Sequence, residues 1–206
     1  MNNTTAITTG AYQRGIWPYI LFITVLFIVS LIIGLLSSIE VASANLEELK
    51  QALLPLMQSL GAFGPIALLL VIFLNNAIKA LAAVVLGIFV GIPPLLFIAI
   101  NGFIVGLVVS ALQPSMGYGI VVASLLPHGI IEIPLLILAS ALGLSVGKES
   151  LKYLLRQQSS VKKQLRRGIR LYLKWVLGAL FIAALIEVFI TPLIIMLAGG
   201  KEFLLP

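Results

Sequence analysis

The sequence has no cysteine, a single histidine and few charged residues. The absence of cysteine excludes disulfides, thiolate metal sites and cysteine nucleophiles. Charged residues make up 10% of the 206 positions, whereas a soluble domain has about a quarter. Hydrophobic residues make up 61%, and the mean hydropathy is +1.18. These values predict an integral membrane protein that has no room for a large soluble domain.

Five apolar stretches are each long enough to cross a bilayer, which takes about 20 helical residues. They predict an all-α, polytopic helix bundle that forms one membrane domain over residues 1–206. The predicted spans are 17–36, 64–90, 92–112, 119–146 and 173–198. Pro93-Pro94 and Gln113-Pro114-Ser115 mark the breaks on either side of the third span. A cleaved signal peptide ending near Ala42-Ser43-Ala44 is an alternative for the first stretch, although its apolar run is longer than a normal signal.

Residues 45–60 have a different pattern, with leucines at steps of three and four. The leucines are Leu46, Leu49, Leu53, Leu56 and Leu60. This spacing predicts an amphipathic helix, and the segment is too polar to span a membrane. We expect it to lie on the membrane surface or over the bundle, on the outer side.

Basic residues set the expected orientation. Nine of the thirteen Lys and Arg fall between Lys148 and Lys174, whereas the connection after the first span has only Lys50. The positive-inside rule therefore places the basic loop 148–172 and the N-terminus in the cytoplasm and the C-terminus outside. Because topology explains the net charge of +6, we expect the lipid bilayer as a partner and no nucleic acid. The expected location is the cell membrane, in a multi-pass arrangement.

Several polar side chains lie within the predicted spans, where an unpaired ionisable group is costly. They predict a buried polar cluster in which lysine and glutamate pair and the asparagines complete hydrogen bonds. Its members are Asn75, Asn76, Lys79, Asn101, His128, Glu132 and Glu187.

The stretch SLLPHGIIEIP (124–134) concentrates unusual residues within the fourth span. Pro127 and Pro134 lack a backbone donor, and Gly129 loosens the same turn. We therefore expect a broken or kinked fourth span there. His128 and Glu132 are four residues apart, so they share a helix face.

The polar cluster has three interpretations. It can fix the structure of the bundle, form a path for protons or solutes, or bind a metal. Metal sites need three or four ligands, which His128 and Glu132 alone do not supply, so we predict no metal and no cofactor. Known motifs of hydrolases, P-loop proteins and dinucleotide-binding enzymes are absent, which argues against an enzyme.

Three Gly-x-x-x-Gly pairs favour close helix packing. They are Gly87/Gly91, Gly102/Gly106 and Gly143/Gly147. Packing within the chain is the expected use, and a homo-oligomer through these faces is the alternative.

Residues 73–106, 125–147 and 185–192 resemble the stage II sporulation protein M family. The most specific part is the L-P-H-G-x-x-E string, supported by the Asn in the second span, by Asn-Gly at 101–102 and by I-E-x-x-x-T-P. The resemblance carries over to Asn75 or Asn76, Asn101, Gly102, Pro127, His128, Gly129, Glu132, Glu187 and Pro192.

In a spore-forming bacterium, the founding member of that family is an integral membrane scaffold that localises two peptidoglycan-degrading partners. Relatives occur in organisms that never sporulate. The resemblance implies a non-enzymatic scaffold or assembly protein whose partners are membrane or cell-envelope proteins. A small channel or transporter for an ion, proton or small solute is the first alternative. An intramembrane metal-dependent hydrolase is the second.

Overall fold

A computed structural model describes residues 3–37 and 64–198. The side chains of residues 3–14, Ser115, Pro127 and His128 are outside the description. The amphipathic helix predicted at 45–60 also lies outside the described residues, so it stays a prediction.

The described chain is helical and has no strand, as the composition predicts. In chain order, the helices are α1 (Asn3–Leu36), α2 (Gly64–Val85) with a 3₁₀ turn (Leu86–Ile88), α3 (Ile92–Leu154), α4 (Val161–Leu171), a π-helical turn (Tyr172–Val176), α5 (Leu177–Phe189) and α6 (Thr191–Leu197).

Within the described residues, five helical segments are long and apolar enough to cross a membrane. We call them the first to fifth spans. They are Gly15–Leu36, Gly64–Ile88, Ile92–Pro114, Gly129–Leu154 and Val161–Phe189. The predicted number of spans is therefore confirmed. A shorter apolar helix, Met116–Leu126, precedes the fourth span in the same continuous α3.

Contacts between the helices show that the direction of the chain alternates from one span to the next. Phe27 of the first span lies at Gly102 of the third, and Leu31 lies at Gly106, so these two spans are parallel. The second and fourth spans are also parallel, because residues 83, 87 and 91 meet residues 143 and 147 in increasing order.

The fifth span runs against the second. Gly168 lies at Val84, and the Tyr172 hydroxyl reaches the Ala77 carbonyl. The ammonium group of Lys148, at the end of the fourth span, lies 5.8 Å from the centroid of the Tyr19 ring at the start of the first. The N-terminal end of the first span and the start of the fifth therefore share one side of the bundle with Lys148. We call this the basic side.

Glycines bring the helix backbones into direct contact. A Cβ atom at Gly87 would collide with the backbone of Gly143, and one at Gly147 would collide with Gly91. A Cβ atom at Gly106 would meet the Leu31 carbonyl of the first span. All six residues of the Gly-x-x-x-Gly pairs are buried between helices of the same chain. The expected packing within the chain is therefore present, and a homo-oligomer through these faces stays a prediction.

The chain reverses direction between the third and fourth spans at Gly117. Gly117 has φ 76° and ψ 157°, and it is the residue with non-helical angles inside α3. Such angles are open almost only to glycine. The turn lies just after the predicted Gln113-Pro114-Ser115 break.

The predicted interruption of the helix at Pro127, Gly129 and Pro134 is wrong, because α3 is helical through all three positions, whereas the predicted kink stays a prediction. A proline removes one backbone donor, and membrane helices tolerate that loss.

The fifth span begins earlier than predicted. Residues of the predicted basic loop 148–172 are helical up to Leu154 and again from Val161, so the non-helical connection is only 155–160. Glu149 closes this connection by accepting hydrogen bonds from the Lys152 ammonium group (2.6 Å) and from the backbone N–H of Ser160 (2.9 Å). Basic residues begin the fifth helix because its opposite face packs on the bundle.

Candidate functional site

A hydrogen bond between the side chains of Asn76 and Glu132 joins the second span to the fourth. The Asn76 Nδ2 atom donates to Glu132 Oε2 at 2.6 Å. Glu132 is 3% exposed, so its carboxyl group lies inside the bundle. A buried polar group without a partner costs about 1–3 kcal/mol, so this bond favours one register of the second span against the fourth.

Helix phase explains why Asn76, rather than Asn75, reaches Glu132. The buried side chains of α2 are Leu69, Ala77, Ala80, Ala83 and Val84, and Asn76 lies at the edge of that face. Asn75 lies 100° away from it, on the exposed side. Asn75 instead donates from Nδ2 to the Asn76 Oδ1 atom at 3.4 Å.

The predicted burial of Asn75 and Lys79 is wrong, because both side chains are exposed. They are four residues apart and share a face that points away from the buried side of α2. A long lysine side chain can run along the apolar surface and carry its charge toward the interface. A pairing of Lys79 with Glu132 or Glu187 therefore has no support in its placement.

The remaining members of the predicted cluster are Asn101, Glu187 and His128. Asn101 donates from Nδ2 to the Phe97 carbonyl of its own helix at 2.7 Å. Glu187 is half-buried. The edge-to-face contact of Phe73 with Phe181 aligns the antiparallel second and fifth spans. In this alignment Glu187 lies nine residues, or about 13 Å, from Asn76 along the helix axis. The place of the His128 side chain in the cluster stays a prediction.

The start of the fifth span packs across the interface between the second and fourth spans. We call such an interface between two packed spans a seam. Tyr172 is 2% exposed, and its hydroxyl donates to the Ala77 carbonyl at 2.8 Å. Gln164 donates from Nε2 to the Ser145 hydroxyl at 2.9 Å. Gly168 lies between these residues and packs on Val84.

The sequence contained a signal for this bracing face, and sequence reasoning missed it. Gln164, Gly168, Tyr172 and Val176 recur at steps of four inside the most basic part of the chain. That spacing keeps the four residues on one helix face. The charges between them favoured a loop, although they occupy the other side of the helix.

The described side chains contain no group of three or more His, Asp or Glu that could hold a metal ion. The geometry of Asn76 and Glu132 is that of an amide held against a buried carboxyl group. Such a pair can fix a helix register, and it can hold a proton or a small cation at the carboxyl group.

The family model for stage II sporulation protein M matches residues 23–192, from the first span to Pro192. No curated protein and no solved structure shows a significant match. The match covers the described spans, the Asn76–Glu132 pair and the glycine contacts, and the chain belongs to the stage II sporulation protein M family.

Proposed function

We propose that this protein is a non-enzymatic membrane scaffold that holds other membrane or cell-envelope proteins in place. The observation that carries the proposal is the locked seam between the second and fourth spans. Backbone contacts at Gly87, Gly91, Gly143 and Gly147 and the Asn76–Glu132 hydrogen bond define one relative position of these helices. A scaffold needs a fixed surface, and helices held in one relative position can supply it.

Family membership supports the same function. The founding member, a scaffold in a spore-forming bacterium, localises peptidoglycan-degrading proteins. In this interpretation, the buried Asn76–Glu132 pair specifies the bundle's geometry, and the partners contact outer surfaces of the spans.

The test compares two substitutions at one position. Glu132→Gln keeps an oxygen that accepts the Asn76 hydrogen bond but removes the ionisable group, whereas Glu132→Leu removes both. A scaffold predicts that Glu132→Gln has nearly wild-type thermal stability and partner binding, because geometry matters and charge does not. Glu132→Leu should lower both, because it leaves the Asn76 amide unpaired.

Partner binding is measured by co-purification of an epitope-tagged full-length chain from its own membranes after cross-linking. Cross-linked proteins are identified by mass spectrometry, and an unrelated multi-pass protein with the same tag gives the background. If no envelope protein is enriched over that background, or if Glu132→Gln and Glu132→Leu behave alike, the scaffold proposal fails.

A small proton or cation transporter is the second candidate, and one observation favours it. Exposed Asn75, half-buried Asn76 and buried Glu132 form a hydrogen-bonded chain from the surface to an interior carboxyl group. A transporter requires the ionisable group itself. Liposomes that contain the purified protein and an internal pH dye should then show proton flux, which Glu132→Gln abolishes. Absence of flux above that of protein-free liposomes removes this candidate.

A further inference from the structure

The first part of the fifth span has a row of cations along one exposed face. Lys162, Arg166, Arg170 and Lys174 follow one another at steps of four, and all four are exposed. Steps of four keep helical residues on one side. We call these four residues the cationic stripe. At 1.5 Å per residue, it extends about 18 Å along the bundle.

The opposite face of the same helix fixes the depth of the stripe. Gly168 packs on Val84, and the Tyr172 hydroxyl is bonded to the Ala77 carbonyl. Val84 and Ala77 both lie within the second span, Gly64–Ile88. The half of the stripe nearer Lys174 therefore lies beside the apolar second span and not beyond its end.

Apolar side chains are exposed on the second span over the same range of depth. Ile78 is 64% exposed and Leu86 is 40% exposed. At this depth the protein surface therefore carries both apolar groups and cations. A cation surrounded by acyl chains is costly, whereas a lysine or arginine that reaches an anionic group at the interface is stabilised.

An aromatic residue closes the lower end of the stripe. Trp175 is 60% exposed, and the ammonium group of Lys174 lies 5.0 Å from the centroid of its ring. Tryptophan prefers the boundary between headgroups and acyl chains. The Tyr172 hydroxyl bonds to Ala77 near the middle of the second span, so Trp175 lies deeper than this boundary, beside acyl chains, and Arg166 lies closer to it.

We propose that the cationic stripe and Trp175 form a binding site for anionic phospholipids in the leaflet on the basic side. The guanidinium groups of Arg166 and Arg170 suit the lipid phosphate because each can donate two hydrogen bonds in one plane. The exposed Trp175 ring packs against the acyl chain of the same lipid. The site goes beyond the scaffold function, because it concerns the lipid around the protein and not a protein partner.

The chain has two tryptophans, so Trp17→Phe leaves Trp175 as the sole reporter. The full-length protein is reconstituted in phosphatidylcholine bilayers that contain either brominated phosphatidylglycerol or brominated phosphatidylcholine at the same mole fraction. Bromine on the acyl chain quenches nearby tryptophan. We expect stronger quenching by phosphatidylglycerol, with a preference of about fivefold for each cation that engages a headgroup.

Arg166→Gln with Arg170→Gln should lower this preference about fivefold or more. The matched control is Lys148→Gln with Arg156→Gln, which removes the same charge from exposed positions on the basic side but outside the stripe. The control should keep the wild-type preference. Circular dichroism and thermal midpoints verify that both double variants fold.

Equal quenching by the two brominated lipids would overturn the proposal, and so would an equal loss of preference in both double variants. Inorganic phosphate, added at constant ionic strength, should leave the quenching by phosphatidylglycerol unchanged. If it displaces the lipid, the stripe is a site for soluble phosphate instead. A rise in salt from 50 to 500 mM should weaken the wild-type preference, because the Debye length falls from about 14 Å to about 4 Å.

Discussion

Two seams hold the bundle together, and they are built differently. The seam between the first and third spans consists of close backbone contacts at Gly34, Gly102 and Gly106. The seam between the second and fourth spans has similar contacts at Gly87 and Gly143, and it also contains a buried hydrogen bond between side chains. The one polar residue of the third span that sequence reasoning singled out, Asn101, bonds within its own helix.

The difference shows that close approach of two helices and their register along each other have separate causes. Small residues let two helices approach, because dispersion contacts and weak backbone contacts reward closeness. A buried amide–carboxyl pair adds a penalty for alternative registers, because sliding would break the hydrogen bond between the two side chains. The hydrogen bond therefore specifies the register of the second and fourth spans, whereas the register of the first and third spans depends on the fit of their surfaces.

The largest effect is expected from a methyl group at the centre of the second seam. Gly143→Ala puts a Cβ atom against the Ala83 carbonyl, so the helices must separate, and we expect a loss of about 3 kcal/mol of stability. Thermal unfolding in detergent measures it. The control is Gly178→Ala, where a Cβ atom meets nothing within 4 Å. Equal effects at both glycines would show that backbone contact does not hold this seam.

The second largest effect is expected from loss of the Asn76–Glu132 hydrogen bond in the second seam. Asn76→Leu leaves the buried Glu132 without this donor and should cost about 2 kcal/mol. Asn101→Leu removes a bond within one helix and should cost less than about 1 kcal/mol. Chemical unfolding of the two variants in the same detergent gives the comparison. A larger loss at Asn101 would contradict the assignment of register to the second seam.

The Gly117 turn joins the seams, because it connects the third span to the fourth. Gly117→Ala forces an alanine to positive φ and should cost about 1–2 kcal/mol. Gly119→Ala is the matched control, because Gly119 is helical and a Cβ atom there meets nothing within 4 Å. The control should be neutral or slightly stabilising in the same thermal assay. Destabilisation of both variants alike would remove the conformational explanation.

The smallest effect concerns the brace on the second seam. Tyr172→Phe keeps the ring and removes the hydroxyl that bonds to the Ala77 carbonyl, for a loss of about 1 kcal/mol. Tyr153→Phe is the control, because Tyr153 is 69% exposed. Unfolding midpoints of both variants check the difference. No loss in Tyr172→Phe would mean that ring packing alone holds the fifth span in place.

Composition and apolar length were enough to predict the helical class and the number of spans. The start of the fifth span was misplaced, because the charges between Lys162 and Arg170 outweigh the apolar residues in any average over the segment. Packing of Gly168 and Tyr172 on the bundle determines that boundary, and an average cannot detect one packed face.

The details of the site depended on helix phase, which the sequence leaves open. Asn75 and Asn76 are the same residue type in adjacent positions. The rotation of α2 about its axis determines that Asn76, and not Asn75, contacts Glu132. Lys79 looked like a partner for buried glutamate because charge counting ignores direction. The prolines of Gln113-Pro114-Ser115 and the end of the apolar run predicted the connection that contains Gly117, whereas the residue that makes the turn depends on backbone angles open almost only to glycine.

The single-residue turn at Gly117 has a consequence for exposure to proteases. It leaves almost no polypeptide outside the helices between the third and fourth spans on the side opposite the basic one. Proteases that need an extended substrate cannot cut the chain there while these helices remain intact. A protein that recognises an extended loop on that side must therefore bind elsewhere in the chain.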